Sequence, residues 1–281
     1  MTVAIRPIEE RHLAEVGAFL HRNLNRRISP EAWAGSLTHR WAIEQPNHGM
    51  QLRDGDALVG VFCAIYSDQQ IGGRVERFCN PHSWCVLDAY RSASIQLVLA
   101  LLKQRGYHYT MYTPNPKVAQ VFLGLRFKLL DDRLLTFPNL PWPARGRAVS
   151  DPTRIEAELQ GTALDEFRAH RDIPWLRFVA FGRDGDMQLA IWKPIRVKRQ
   201  PCVWLMHLSD PSALERHGAL LRSHWLLAHG MRLTRVEARF VTRPPALSIA
   251  SVRGQPKLAS SKTLADGQMR DVYSEMMALD L

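Results

Sequence analysis

The chain of 281 residues exceeds one typical domain, and its 46% hydrophobic and 23% charged residues are ordinary for a globular protein. This composition excludes a disordered, collagen-like or coiled-coil chain. Every apolar run is shorter than the about 20 residues that cross a membrane, and the first residues do not resemble a signal peptide. We therefore expect a cytoplasmic protein without a membrane span.

The chain is strongly basic, with 37 Lys and Arg against 27 Asp and Glu and a net charge of +10. Such a charge attracts nucleic acid, phosphate-rich cofactors and acidic glycans alike, so it does not choose a partner. The four cysteines have neither the number nor the spacing of a disulfide framework or a zinc site. We expect reduced, buried thiols and no metal.

The first half begins with a predicted strand and two helices, the second of which starts at Ser29-Pro30, a serine cap followed by proline. Asp54-Gly55 lies between two apolar runs and predicts a hairpin. A helix is predicted over 92–105. Gly106 ends it, because glycine accepts the left-handed conformation of a helix stop, and a further strand follows.

Segment 138–152, with four prolines and one glycine, predicts a linker. The order of hairpin, strand, helix and strand then recurs, with Asp184-Gly185 at the hairpin and Gly230 at the helix stop. We expect an internal duplication, with an N-terminal domain at 1–137 and a degenerate C-terminal domain at 153–281. Each is predicted to be an α/β unit, a mixed and mostly antiparallel sheet flanked by helices.

Residues 86–102 carry the main functional signal, a predicted strand that runs through a short turn into an apolar helix. A helix start presents unpaired backbone N–H groups and the positive end of the helix dipole, which suit a phosphate group. Arg91 adds a full positive charge at this place. The glycine patterns of dinucleotide and ATP sites do not occur in the sequence, so we expect neither.

This segment resembles the GNAT acyltransferase superfamily, matching its pattern at Val86, Tyr90, Arg91 and the apolar helix. A second match begins at Asn115 and ends at Phe127, where the family has an Asn-x-x-Ala-x-x-x-Tyr-x-x-x-Gly-Phe pattern. The resemblance covers roughly the first 136 residues. It implies a GNAT-like first unit with acetyl-CoA or another acyl-CoA as co-substrate, and through the internal repeat it extends to a second, tandem GNAT-like unit. The implied reaction is acyl transfer to an amine or hydroxyl of a small or sugar-type acceptor.

The resemblance implies that acyl-CoA lies against Val86, Leu87, Arg91, Ser92, Ala93, Ser94, Ile95, Gln96, Asn115 and Phe122. Ser94 and Gln96 stand where the family has phosphate-loop glycines, and Arg126 replaces another glycine. Phe122 stands where many members carry the tyrosine that protonates the leaving thiolate, and a phenyl ring has no proton to give. By the repeat, Gly218 corresponds to Ser94, so the second unit is an alternative site.

Acyl transfer also needs a base and a polarised carbonyl, which in GNAT-like folds is held by backbone N–H groups of a splayed strand. Glu76 is the candidate base by its location before the central strand, and Cys79 and His82 are the next candidates. Glu76 and Cys79 have structural interpretations as well, Glu76 as a surface carboxylate facing Arg74 or Arg77 and Cys79 as a core thiol.

Two other functions stay open. Peptidoglycan-bridge aminoacyltransferases also pair two GNAT-like units and take the acyl group from charged tRNA, and the basic charge suits RNA. A non-catalytic CoA-binding or scaffold protein is consistent with Phe122 and the replaced glycines. Binding of acyl-CoA, of tRNA or of neither separates the three functions.

Overall fold

A computed structural model of the chain describes residues 3–280. Its strands are β1 Val3–Pro7, β2 Gly49–Asp54, β3 Ala57–Ile71, β4 Arg74–Val86, β5 His108–Met111, β6 Lys128–Leu129, β7 Arg133–Pro138, β8 Arg147–Val149, β9 Arg177–Arg183, β10 Asp186–Val197, β11 Gln200–Leu208, β12 Leu233–Glu237, β13 Ile249–Val252 and β14 Leu258–Ser260. Its α-helices are α1 Leu13–Asn23, α2 Pro30–Gly35, α3 Ser94–Leu102, α4 Pro116–Gly124, α5 Pro152–Glu158, α6 Gly161–His170, α7 Ala213–His229 and α8 Glu275–Ala278. None of these helices combines the length and the apolar character needed to cross a membrane, among the residues described.

Two seven-stranded sheets share one strand order. The first is β1-β2-β3-β4-β5-β14-β6, and the second, counted from its β8 edge, is β8-β9-β10-β11-β12-β7-β13. In each sheet one parallel pair, β4–β5 or β11–β12, lies among antiparallel pairs. The predicted mixed α/β architecture of two similar units is therefore confirmed.

The chain divides between the two units at other points than the sequence predicts. The first unit extends to Leu129 and takes up the chain again at Lys257–Met269 and from Tyr273, while the second holds Leu130–Pro256 and Arg270–Val272. Segment 138–152, predicted as a linker, lies within the second unit and includes β8. The predicted ranges 1–137 and 153–281 differ from this division because β7 and β14 each join the sheet of the other half of the sequence.

Local signals placed the turns correctly. Gly55 and Gly185, with φ of 59° and 79°, turn between β2 and β3 and between β9 and β10. Helix α7 ends at Gly230, whose φ is 66°. The helix predicted at 92–105 is shorter than expected, because residues 88–93 form a 3₁₀ turn and α3 ends at Leu102.

The sheet of the first unit has apolar layers on both faces. Leu97 and Leu101 of α3 pack with Phe62 of β3 on one face. On the other face Val16 of α1 and Trp33 of α2 pack with other β3 residues. In the second unit, α7 covers its sheet with a corresponding apolar stripe. All four cysteines are buried and unpaired.

Candidate functional site

The two parallel strands β4 and β5 stay paired over only two positions, Phe78 with His108 and Cys79 with Tyr109. At the next residue, Asn80, the side-chain amide donates to the backbone oxygen of Thr110 at 2.9 Å and to its hydroxyl at 3.3 Å. Beyond this bridge the backbone ladder between the strands ends. We call the gap between residues 80–86 and residues 110–113 the β4–β5 opening.

A bulge in β4 lies along this opening. Val61 of β3 pairs with Cys85 and Cys63 pairs with His82, so two steps on β3 face three steps on β4. Ser83, inside the bulge, has a φ of 53°, in the left-handed region. Such a bulge takes one residue out of the ladder and redirects the backbone and side chains next to it.

At its end β4 leads through Leu87 and the 3₁₀ turn Asp88–Ala93 into α3. No side chain among the described residues caps either helix start. The Tyr90 hydroxyl donates to the Asp54 carboxylate at 2.8 Å, which fastens the turn to the end of β2. The Tyr90 N–H donates to the Leu87 oxygen and the Ser94 N–H to the Arg91 oxygen, so the N–H groups at the very start of the turn are the ones in position to bind an anion.

Most residues expected to hold acyl-CoA surround this turn. The set divides by exposure as follows: Arg91, Ser92, Ile95 and Gln96 are exposed, Val86, Leu87 and Ser94 are half-buried, and Ala93 is buried. Arg91 forms an ion pair with Asp88 at 2.7 Å, in which both side chains are exposed to solvent.

The other two expected residues have structural roles. Asn115 caps α4, where its side chain accepts from the Val118 N–H at 3.0 Å. Phe122 is completely buried, and its ring centre lies 4.9 Å from that of Phe127 and 6.0 Å from that of Phe62. At the family's glycine position Arg126 adopts a φ of 68°, the left-handed conformation that glycine accepts most readily.

Glu76 lies on the paired side of the strands, four residues before Asn80 and therefore about 13 Å from it along β4. Its Oε2 is 2.9 Å from Nε2 of His108, and Nδ1 of His108 is 2.8 Å from the Ser261 hydroxyl. The structure thus engages Glu76 in a hydrogen-bonded chain with His108 and Ser261 rather than with Arg74. Its role as the base stays a prediction.

Cys79 and His82, the next candidates, are both buried in β4. Burial raises the pKa of the Cys79 thiol well above its usual range, so the thiol stays protonated at neutral pH. Burial lowers the pKa of His82 to about 3, which leaves a neutral imidazole. Nδ1 of His82 bonds the Ser83 hydroxyl at 2.9 Å, and Nε2 has no partner among the described residues.

Glu275, in α8, reaches the β4–β5 opening from a position 195 residues after Asn80. Its backbone N–H donates to Oδ1 of Asn80 at 3.0 Å. Its Oε1 accepts from the Tyr112 N–H at 3.2 Å and from the Thr113 hydroxyl at 2.9 Å. The side chain is buried, and Oε2 has no partner among the described residues. Burial raises the pKa of this carboxyl.

Sequence reasoning missed Glu275. A glutamate near the end of the chain, next to Met276 and Met277, carries no local motif that points to a strand so far away. Only the apolar run at 276–279 indicates from the sequence that the segment packs inside the protein, and the structure does bury these residues.

The second unit differs at the corresponding helix start. The carboxylate of Asp210 accepts from the Ser212 N–H at 2.9 Å and pairs with Arg216 at 2.9 Å, so one of the chain's own anions occupies the start of α7. Gly218, the alternative phosphate-loop residue, lies inside α7 and is buried. Gly218 is therefore part of a helix interior and does not line a phosphate-binding turn.

Beyond the β11–β12 pairs the second unit is filled with charged groups. Nε2 of His207 lies 2.8 Å from Glu166, which also faces Arg270 at 3.5 Å. Glu237, at the end of β12, pairs with Arg239 at 2.8 Å and with Arg253 at 3.1 Å. The charged side chains at the ends of these strands are thus paired with one another, and the start of α7 is occupied by Asp210. A ligand therefore finds fewer available groups here than at the corresponding place in the first unit.

Within the part of the chain that the structure describes, no group of three or more His, Cys, Asp or Glu side chains is arranged to hold a metal ion.

Comparison with known proteins gives the fold. No protein-family model and no curated protein matches the sequence. Among solved structures, a GCN5-related N-acetyltransferase from Anabaena variabilis matches with a TM-score of 0.62 at 11% identity, over 92% of this chain and 72% of that one. A GCN5-related N-acetyltransferase from Kribbella flavida matches with a TM-score of 0.56 at 12% identity, over 92% and 71%. The chain therefore has the fold that the sequence resemblance implied.

Proposed function

We propose that this chain, which has the fold of the GCN5-related N-acetyltransferases, transfers an acyl group from acyl-CoA to an amine or hydroxyl acceptor. The first unit is the proposed binding unit. The observation that carries the proposal is the combination of an opening between two parallel strands with an uncapped helix start at the end of one of them.

The turn at 88–93 and the start of α3 supply the proposed phosphate site. Backbone N–H groups and the helix dipole attract a pyrophosphate, and Arg91 adds a charge from an exposed position. The small side chain of Ser94 leaves more room for the phosphate than a large side chain would. Gln96 is exposed, so it has freedom to turn away from a bound phosphate.

The β4–β5 opening supplies the proposed site for the thioester. Its bulge at Ser83 takes backbone groups out of the ladder, and such N–H groups polarise a carbonyl. Nε2 of His82 and Oε2 of Glu275 are among the buried polar atoms of this unit that have no partner among the described residues. Buried polar atoms are normally hydrogen-bonded, so these two fit a bound polar group.

Calorimetry on the full chain with acetyl-CoA and longer acyl-CoA thioesters tests binding. Arg91→Ala is the test variant, and Arg216→Ala, at the helix start of the second unit, is the matched control. We expect weaker binding in the first variant alone. Release of free thiol with a panel of amines and amino sugars then tests turnover. Binding of tRNA without binding of acyl-CoA would overturn the proposal.

A further inference from the structure

The proposed reaction lacks an obvious proton donor for its leaving group. Phe122 has no ionisable proton and is completely buried among Phe62, Trp84 and Phe127. The Cys79 thiol is buried on the paired side of the strands, and Glu76 is bonded to His108 about 13 Å before Asn80. A group at the opening itself has to be found elsewhere in the chain.

We propose that Glu275 is the proton donor to the leaving thiolate. This inference rests on the proposed function. Three hydrogen bonds place Glu275 at the opening. Its backbone N–H donates to the side chain of Asn80, and its Oε1 accepts from the Tyr112 N–H and from the Thr113 hydroxyl. These contacts tie one carboxyl oxygen to the β5 side and leave the other free of partners among the described residues.

The geometry also assigns the proton to one oxygen. Oε1 already accepts two hydrogen bonds, so a proton on the neutral carboxyl belongs on Oε2. Burial raises the pKa of this carboxyl and so favours the neutral form, since a carboxylate is costly away from water, while the side chains of Thr113 and Asn80 and the Tyr112 N–H oppose the shift. A carboxylic acid held in this way is suited to give its proton to a thiolate.

The acceptor nitrogen forms a bond to the carbonyl carbon of the thioester, and the carbon–sulfur bond breaks with its electron pair going to sulfur. Glu275 gives its Oε2 proton to that sulfur, which leaves as the free thiol. The Glu275 carboxylate then takes up the proton that the nitrogen loses as the amide forms, which restores the neutral acid.

Other titratable groups lie on the elements around Glu275. His82 is on β4, two residues after Asn80, where burial lowers its pKa to about 3, so it stays neutral near pH 7. Tyr112 follows β5, and Nζ of Lys257 lies 4.8 Å from the centre of its ring. Lys257 is thus a buried charged group beside Tyr112, whose backbone N–H bonds Glu275.

Glu275→Gln on the full chain is the first test. A glutamine oxygen still accepts from Tyr112 and Thr113, but the amide cannot transfer a proton. We expect acyl-CoA affinity within threefold of the wild type and a kcat at least tenfold lower, because general acid catalysis contributes about 10²–10⁴-fold. An unchanged kcat overturns the inference. Absence of thiol release from the wild type, with acyl-CoA bound, instead overturns the proposed function.

Thr113→Val is the second test, and it can be read whether or not Glu275→Gln folds. The change removes a donor to Oε1, which destabilises the ionised carboxylate and raises the pKa of Glu275. The alkaline limb of the kcat profile should move to higher pH, which a purely structural role would not cause. An unmoved limb overturns the inference. An infrared carbonyl band of a protonated carboxyl, present in the wild type and absent from Glu275→Gln, supports the neutral acid directly.

Discussion

The side-chain amide of Asn80 on β4 donates to the backbone oxygen of Thr110 on β5, 2.9 Å away, at the residue where the two parallel strands stop pairing. The same side chain accepts from the Glu275 N–H through its oxygen. One buried amide thus closes the end of the ladder and holds the C-terminal segment, so the width of the β4–β5 opening depends on it.

Asn80→Leu tests this relationship. The variant keeps the side-chain size but leaves the Thr110 oxygen and the Glu275 N–H without their partner. A buried polar group that loses its hydrogen bond costs about 1–3 kcal/mol, so we expect a lower free energy of unfolding by at least that amount. Urea denaturation measures it. Gln120→Leu, at an exposed position, is the control and should stay within about 0.5 kcal/mol of the wild type.

Arg91→Ala should weaken acyl-CoA binding about tenfold or more. A charge-assisted hydrogen bond to phosphate contributes about 1.5–3 kcal/mol, and 1.4 kcal/mol is a factor of ten. Stability should hardly change, because the ion pair with Asp88 is exposed on both sides. Asp88→Asn is the control: removing that carboxylate should leave binding equal or tighter. Weaker binding in Asp88→Asn and not in Arg91→Ala would contradict the assignment of the phosphate site.

Phe122→Tyr should lower the free energy of unfolding by about 1–3 kcal/mol. The added hydroxyl enters a buried aromatic cluster that includes Phe62 and Phe127, where an unpaired polar group is costly. Phe178→Tyr, at a half-buried position, should be tolerated because its hydroxyl reaches water more easily. Thermal unfolding compares the two. A tyrosine at 122 that is stable and raises turnover would show that the ring faces the reacting sulfur.

Gly17→Ala should destabilise the first unit. A Cβ at Gly17 of α1 would lie 2.3 Å from the Pro30 oxygen at the start of α2, so the two helices would have to move apart. Overpacking of this kind costs about 1–3 kcal/mol. Gly35→Ala is the matched control, since no atom lies within 4 Å of its added Cβ and alanine favours a helix. Equal stability of the two variants would contradict the helix packing.

Stability should fall as the pH drops below about 6.5, the usual pKa of histidine in an unfolded chain. Burial lowers the folded-state pKa of His82 to about 3 and that of His224 to about 4. At a pH between the folded-state and the unfolded-state pKa of a histidine, the unfolded chain binds a proton there that the folded chain does not. This difference lowers the free energy of unfolding by up to about 1.4 kcal/mol per pH unit for each histidine. Urea titrations at pH 7.5, 6 and 5 measure the slope. A flat profile would contradict the burial of these rings in neutral form.

The sequence by itself determined the local features of this protein. The Asp-Gly hairpins, the stop at Gly230 and the strand–turn–helix segment around Arg91 all appear where they were predicted. Each depends on residues close together in the chain, whose backbone preferences and apolar spacing are already visible in the sequence. The resemblance to a known fold rested on the same kind of local motif.

Only the tertiary structure decided which distant segments meet. Because β7 joins the second sheet and β14 joins the first, the boundaries of the two units differ from those predicted. The residues of a single strand do not indicate which strand it will pair with. The pairing of Glu76 with His108 and the arrival of Glu275 at Asn80, 195 residues away, likewise follow from long-range packing. Burial then raised the pKa of Cys79 and Glu275 and lowered that of His82, because the cost of a charge depends on the surrounding atoms and not on neighbours in sequence.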